Sequence, residues 1–238
     1  MKKKTDAMGR AIAEYYEKGR AERLRVLSPM FDEDEIPVGM LFRSYGEMTA
    51  MERKALEMAR GKTLDVGAGA GCHSLVLQER LADVTAIDIS PMAAETMRRR
   101  GVRNVMELDF FDMKGQFDTI LMQMNGIGIV GTIGRLPMFF RHLDTMLAPG
   151  GQLLCDSSDI SYVFADDDGT PHYPDTGHYY GELQYRMQYR DTRGEPFGWL
   201  YVDADTLKRI AAENGYRAEV VMEGDHYDYL ARITKATD

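Results

Sequence analysis

The residues of this chain best spaced for chemistry lie in one run, Leu64-Asp65-Val66-Gly67-Ala68-Gly69-Ala70-Gly71-Cys72-His73-Ser74-Leu75. A short apolar stretch ends in an acid, three glycines follow at alternate positions, and the pattern then turns helical. Glycine serves where φ is positive or where a ligand must approach without meeting a Cβ. A helix start adds unpaired N–H groups and a positive dipole end. Together these make a nucleotide-sized landing place at the carboxyl end of a strand. A second acid, Asp88, closes the next apolar run. Its carboxylate can accept from both hydroxyls of a ribose.

The elements that must position these groups follow from periodicity and caps. Residues 7–27 read as a helix, with Ala11, Ile12, Tyr15 and Tyr16 on one face. Residues 28–44, with Pro29, Pro37 and four consecutive acids, read as a connecting loop. Thr49 and Glu52 form a capping box for a helix that Gly61 is expected to close. From Lys62 the rhythm alternates. Strands are expected at 62–66, 84–88, 104–107, 117–124 and 151–155, with helices at 71–80, 91–100 and 135–147. Ser90 and Pro91 supply an N-cap and a first helical position. This alternation predicts a parallel sheet wound on both sides.

After Asp156 the pattern changes. Residues 157–181, holding Asp166, Asp167, Asp168, Pro171, His172, Pro174 and His178, read as a long loop. Strands at 183–189 and 197–202 flank a turn at Asp191-Thr192-Arg193-Gly194. Asp203 caps a helix ending at Asn214-Gly215, and a last hairpin spans 216–233.

Composition removes several function classes. The chain has 238 residues, 44% hydrophobic and 28% charged, as a soluble globular protein has. No run approaches the roughly 18 apolar residues of a membrane span. The basic start has no apolar segment behind it, so no secretory signal is expected. Two cysteines make no disulfide framework, and a cytoplasmic location is expected. A net charge of −9 disfavours a nucleic-acid partner. Arg98, Arg99 and Arg100 complement a helix C-terminus rather than forming a phosphate patch.

The glycines then discriminate between nucleotides. The dinucleotide fingerprint G-x-G-x-x-G needs its third glycine where Cys72 stands, which disfavours an NAD-type oxidoreductase. Asp-x-Gly-x-Gly-x-Gly after a strand resembles motif I of the class I S-adenosylmethionine-dependent methyltransferases. Glu107-Leu108-Asp109-Phe110, Phe117-Asp118 before the fourth strand and Leu147-Ala148-Pro149-Gly150-Gly151 before the fifth are similar to that family's further motifs. The terminal helix and hairpin match its reversed seventh strand.

The resemblance implies an α/β fold of class I type. It would be a doubly wound, seven-stranded, mostly parallel sheet with an antiparallel last strand, in three α/β/α layers. Residues 1–60 would form an N-terminal helical cap. Residues 61–238 would be the cofactor-binding domain, with a β-hairpin and loop insertion at 157–202 covering the substrate. The implied cofactor is S-adenosylmethionine. Gly67, Ala68, Gly69 and Gly71 would pass beneath it, beside His73. Asp65 would hold its ammonium, Asp88 its ribose, and Ile89, Asp109 and Phe110 its adenine. Met124, Asn125 and Gly126 would border the sulfonium.

Methyl transfer from a sulfonium needs mostly positioning and water exclusion. The candidate catalytic residues are Asn125, Tyr45 and Asp156. The segment at Asn125 lacks the N/D-P-P-Y/F pattern of enzymes that methylate bases. The acids at Asp156 and Asp159 read as polar pocket lining, and no metal ligands are assigned. His73 reads as a base or as a buried group orienting the glycine loop. Arg43, Tyr185, Arg186 and Trp199 are candidate pocket walls. The expected reaction is methylation of a small molecule at O or N by a monomer or homodimer. Cofactor binding without turnover and methylation of a protein side chain are the alternatives.

Overall fold

The computed structural model describes residues 5–166, 170, 172–173 and 177–236. Asp167, Asp168, Pro171 and Pro174 of the expected long loop lie outside the described residues. Helix α1 (Ala7–Lys18) leads into strands β1 (Leu24–Leu27) and β2 (Asp34–Ile36), then helix α2 (Ala50–Met58). The alternating region comprises β3 (Thr63–Val66), α3 (Cys72–Arg80), β4 (Val84–Asp88), α4 (Pro91–Arg100) and β5 (Asn104–Glu107). It continues through β6 (Phe117–Met122), α5 (Leu136–Met146) and β7 (Leu147–Ser158). The chain closes with β8 (Glu182–Tyr189), β9 (Thr192–Arg193), β10 (Phe197–Leu200), α6 (Ala204–Glu213), β11 (Tyr216–Glu223) and β12 (Asp228–Lys235).

Seven strands form the main sheet in the order β11-β12-β7-β6-β3-β4-β5. Strands β7, β6, β3, β4 and β5 run parallel, and β12 is antiparallel to β7. β3 is buried throughout, and so is nearly all of β6, as strands covered on both faces must be. Leu64, Ile120 and Leu153 pack under α5 and α6. Leu121, Leu154 and Val84 pack under α2 and α3, and Ala86 under α4. The order reverses between β3 and β6. In open α/β sheets the ligand crevice lies at such a switch point.

The leader departs from its expected form. α1 stops at Lys18 because Gly19 takes a left-handed φ of 67° and returns its N–H to Tyr15 O. Residues 24–27 form a strand, and the expected loop contains β2 and a short 3-10 turn at Val38–Phe42. The cap is therefore α+β, not helical. β1 lies between β2 and β8 in a second antiparallel sheet, ordered β10-β8-β1-β2, with β9 paired to β8. Leader and insertion make one structure. Local patterns could not show it, because Leu24 pairs with Tyr189 across most of the chain.

Smaller differences are also local. α2 ends at Met58, and Gly61 instead shapes the turn into β3. β7 starts at Leu147 and carries Pro149 and Gly150 at an irregularity in its pairing with β6. β6 ends at Met122, two residues early.

The caps lock the layers together. Asp6 accepts from Gly9 N at 2.8 Å and caps α1. It also accepts from Ser90 Oγ at 2.7 Å, while Ser90 Oγ accepts from Ala93 N and caps α4. Two helix starts thus share one buried hydrogen-bond chain, fixing the leader onto the strand-end face. The arginine run serves the same junction: Arg99 pairs with Glu17, and Arg100 stacks over Phe42. Among the described residues, no helix is long and apolar enough to cross a membrane.

Candidate functional site

The carboxyl ends of β3, β4 and β6 open on a cavity of about 700 Å³. Its floor is the glycine loop. Gly67 and Gly69 have φ of 66° and 58°. A Cβ on Gly67 would meet no atom within 4 Å, and one on Gly69 only Gly67 O at 4.0 Å. Both glycines border open space, as a cradle for a ligand requires. Gly71 differs. Its φ is 82°, and a Cβ there would lie 2.8 Å from Val102 Cγ2 and 3.1 Å from Met97 Cγ. Gly71 lies outside the cavity lining, where its missing Cβ lets the start of α3 approach Met97 and Val102 at the end of α4. Gly71→Ala should cost about 2 kcal/mol or more in thermal denaturation, through left-handed strain and overpacking. S-adenosylhomocysteine affinity of the folded variant should stay near wild type by calorimetry.

Two acids brace the loop. Asp65 is buried at the end of β3 and accepts from Ser74 Oγ. Burial raises its pKa, against the pull of His73 and Ser74. Asp88 accepts from Gly69 N at 2.9 Å and Ser90 N at 2.8 Å. Burial, opposed by those two N–H groups and reinforced by the charges of Asp6 and Asp65, pushes it up to about 6. Both carboxylates line the cavity.

Beneath the loop sits a buried ionic cluster. His73 Nε2 lies 2.7 Å from Glu52 Oε1, and Arg43 pairs with the same oxygen. Glu52 Oε2 also receives Thr49 N at 2.9 Å, closing the capping box of α2. Burial alone would raise the Glu52 pKa, but His73, Arg43 and Thr49 hold it down to about 2. His73 therefore joins the leader to the glycine-loop helix. Arg43 is not a cavity wall.

The turn after β6 forms the second side. Met124 and Asn125 take left-handed φ of 64° and 56°, strained for side-chain-bearing residues. Asp156 holds them there, accepting from Asn125 N at 2.9 Å and Gly126 N at 3.4 Å. Its own pKa is pushed up to about 6 by burial, which those N–H groups oppose. Asn125 Nδ2 donates to Leu200 O at 3.2 Å on β10. Asn125 Oδ1 and Gln123 Oε1 are buried at the cavity with no hydrogen-bond partner. Buried acceptors left this way await a donor.

The second sheet is the roof. Residues directly opposite in register share a face. Val26 pairs with Asp34 on one side and Met187 on the other. Tyr185 pairs with Phe197, and Leu183 with Trp199. All seven line the cavity. Arg25, Glu35 and Gln188 occupy the alternate positions.

The cavity thus gathers Asp65, Gly67, Ala68, Gly69 and His73 from the first loop, Asp88 from β4, and Met124, Asn125 and Gly126 after β6. Other expected residues stand elsewhere. Tyr45 is exposed, and its hydroxyl bonds Glu57 at 3.0 Å on α2. Asp156 lies behind the turn it braces. Ile89 is 47% exposed and outside the lining. Asp109 caps a 3-10 turn through Phe111 N, and Phe110 is buried against Phe139 and His142. Phe31, Asp34 and Gln123 were not anticipated in the site. The alternation of Leu24 and Val26 with Arg23 and Arg25 is the one sequence signal of the roof.

The sequence matches the family described as "Methyltransferase domain" over residues 42–221. No curated protein matches the chain. A crystal structure of a S-adenosylmethionine-dependent methyltransferase from Bacteroides fragilis, in complex with S-adenosyl-L-homocysteine, is 51% identical. It superposes with a TM-score of 0.93, covering 100% of this chain and 98% of that one. The CcbJ methyltransferase from Streptomyces caelestis shares the fold at 14% identity and TM-score 0.62, covering 98% and 99%. The sugar N-methyltransferase KedS8 from Streptoalloteichus sp ATCC 53650 does so at 18% and 0.56, covering 89% and 97%.

Proposed function

Because this chain belongs to the S-adenosylmethionine-dependent methyltransferases, we propose that its methyl acceptor is a small molecule enclosed beneath the second sheet. The observation that carries this reading is the shared cavity, floored by the glycine loop and roofed by β1, β2, β8 and β10. A roof across the strand ends suits a small acceptor better than a protein surface.

S-adenosylmethionine supplies a methyl group already activated on a sulfonium, which leaves the protein the tasks of alignment and dehydration. Gly67 and Gly69 give the cofactor backbone contact without a Cβ in the way. Asp88 takes the ribose hydroxyls on the lone pairs that Gly69 N and Ser90 N leave free. Asp65 faces the ammonium. Gln123 and Asn125 border the cavity at the turn after β6. Asp156, which stands outside the cavity lining, acts as a positioning residue by holding the strained turn. His73 positions α3 through Glu52. The two free cysteines, Cys72 and Cys155, are buried thiols that suit the reducing compartment expected for the enzyme.

The test is transfer of label from methyl-labelled S-adenosylmethionine into an extract of the source cells, separated by size. Label in the small-molecule fraction is expected. Label confined to precipitated protein would sink the reading.

A further inference from the structure

The roof face carries one carboxylate among apolar and aromatic groups. Asp34 shares its row with Val26 and Met187. Beyond them stand Tyr185, Phe197 and Trp199, with ring centroids 6.3 Å apart for the first pair and 6.0 Å for the second. Burial raises the pKa of Tyr185 and of Tyr201, and the charge of Asp34 raises both further. Asp34 Oδ1 accepts from Glu35 N at 2.7 Å, which leaves the other oxygen open. Glu33 is paired with Arg25, but among the described residues no cation pairs with Asp34.

The wider lining has the same sign. Five carboxylates border the cavity: Asp32, Glu33, Asp34, Asp65 and Asp88. Among the described residues, no lysine or arginine does. Asp65 and Asp88 belong to the cofactor side, so Asp32 and Asp34 add negative charge on the acceptor side. An anionic acceptor would meet no fixed positive partner there. A cation would meet a carboxylate and aromatic faces, the combination that holds ammonium groups. Gln123 and Asn125 border the same chamber, and their side-chain oxygens are buried without a hydrogen-bond partner.

Building on the methyltransferase reading, we infer that the acceptor is a small molecule bearing a protonated amine, seated with its ammonium against Asp34 and the aromatic roof. Asp34 is then the residue that selects the acceptor by charge. An inward acid can also guard a sheet edge against stray pairing, and the experiment separates the two roles.

Trp199 is the single tryptophan of the chain and lines the cavity, so its fluorescence reports occupancy. The protein saturated with S-adenosylhomocysteine is titrated with two matched sets: tyramine, tyrosol and 4-hydroxyphenylacetate; and glucosamine, glucose and glucuronate. At least one amine should bind about tenfold or more tighter than its neutral and acidic counterparts, as a charge-assisted contact implies. Asp34→Asn should abolish that preference and Asp34→Glu should restore part of it. Equal responses within both sets, no response to any probe, or a preference retained in Asp34→Asn overturns the inference. Calorimetric binding of S-adenosylhomocysteine to the same samples separates the two levels. If it binds while the amine preference is absent, the amine inference alone fails. If it does not bind, the cofactor site itself fails.

Discussion

Glu52→Ala is expected to lose about 3–5 kcal/mol of folding stability in urea denaturation, the cost of breaking a buried ion pair from one side. The side chains of Arg43 and His73 are only 9% and 6% exposed. Without the carboxylate both are left buried around a hole, and α2 loses its capping box. The same group sets acid sensitivity. Its pKa falls from 4.5 in the unfolded chain to about 2 in the fold, so ionisation stabilises the folded state. That contribution is about 3 kcal/mol, present above pH 4.5 and lost as pH falls towards 2. Wild type should therefore lose stability over that window, and Glu52→Gln should lose less there. A Glu52→Ala variant as stable as wild type would show that the cluster does not hold the leader to α3.

Gly67→Val is expected to abolish cofactor binding while leaving a folded protein. The left-handed φ of 66° costs a side-chain-bearing residue about 1–2 kcal/mol of stability. The larger effect comes from the open space before Gly67, which the valine side chain would occupy. S-adenosylhomocysteine affinity should fall about 100-fold or more by calorimetry, as when a cradle built for close approach is filled. The contrast with Gly71→Ala is the decisive comparison: one glycine borders open space, and the other lies against Met97 and Val102. Wild-type affinity in Gly67→Val would exclude the loop as the cofactor floor.

What the sequence made legible is what neighbours in the chain decide. Ser90 with Pro91, Thr49 with Glu52, and Asp203 each mark a helix start that the structure has. The apolar run of β6 announced a central strand, and the glycines with Asp65 and Asp88 marked the loop that floors the cavity. What stayed hidden depends on partners far along the chain. β1 is four residues long and gains its identity from β8. Glu52 reads as a cap, yet the same carboxylate neutralises Arg43 and meets His73. Asp156 ends an apolar strand as a catalytic acid would, yet it stands outside the cavity lining and accepts from the turn at Asn125 and Gly126. Asp109 and Phe110 fit a cofactor motif by order, and in the 3-10 turn they begin Asp109 accepts from Phe111 N while Phe110 is buried beside Phe139.

The pairing of Leu24 with Tyr189 has a consequence for how the protein comes into being. Synthesis is vectorial, and β1 and β2 leave the ribosome long before β8 exists. By then the chain already holds β3 to β7, with the glycine loop and the turn that Asp156 braces. The two early strands must wait, paired only with each other, and a lone hairpin is marginal in water. Closing so long a loop is also the slow, entropically costly kind of contact. The nascent chain thus has the glycine loop and its bracing turn before it can roof the cavity.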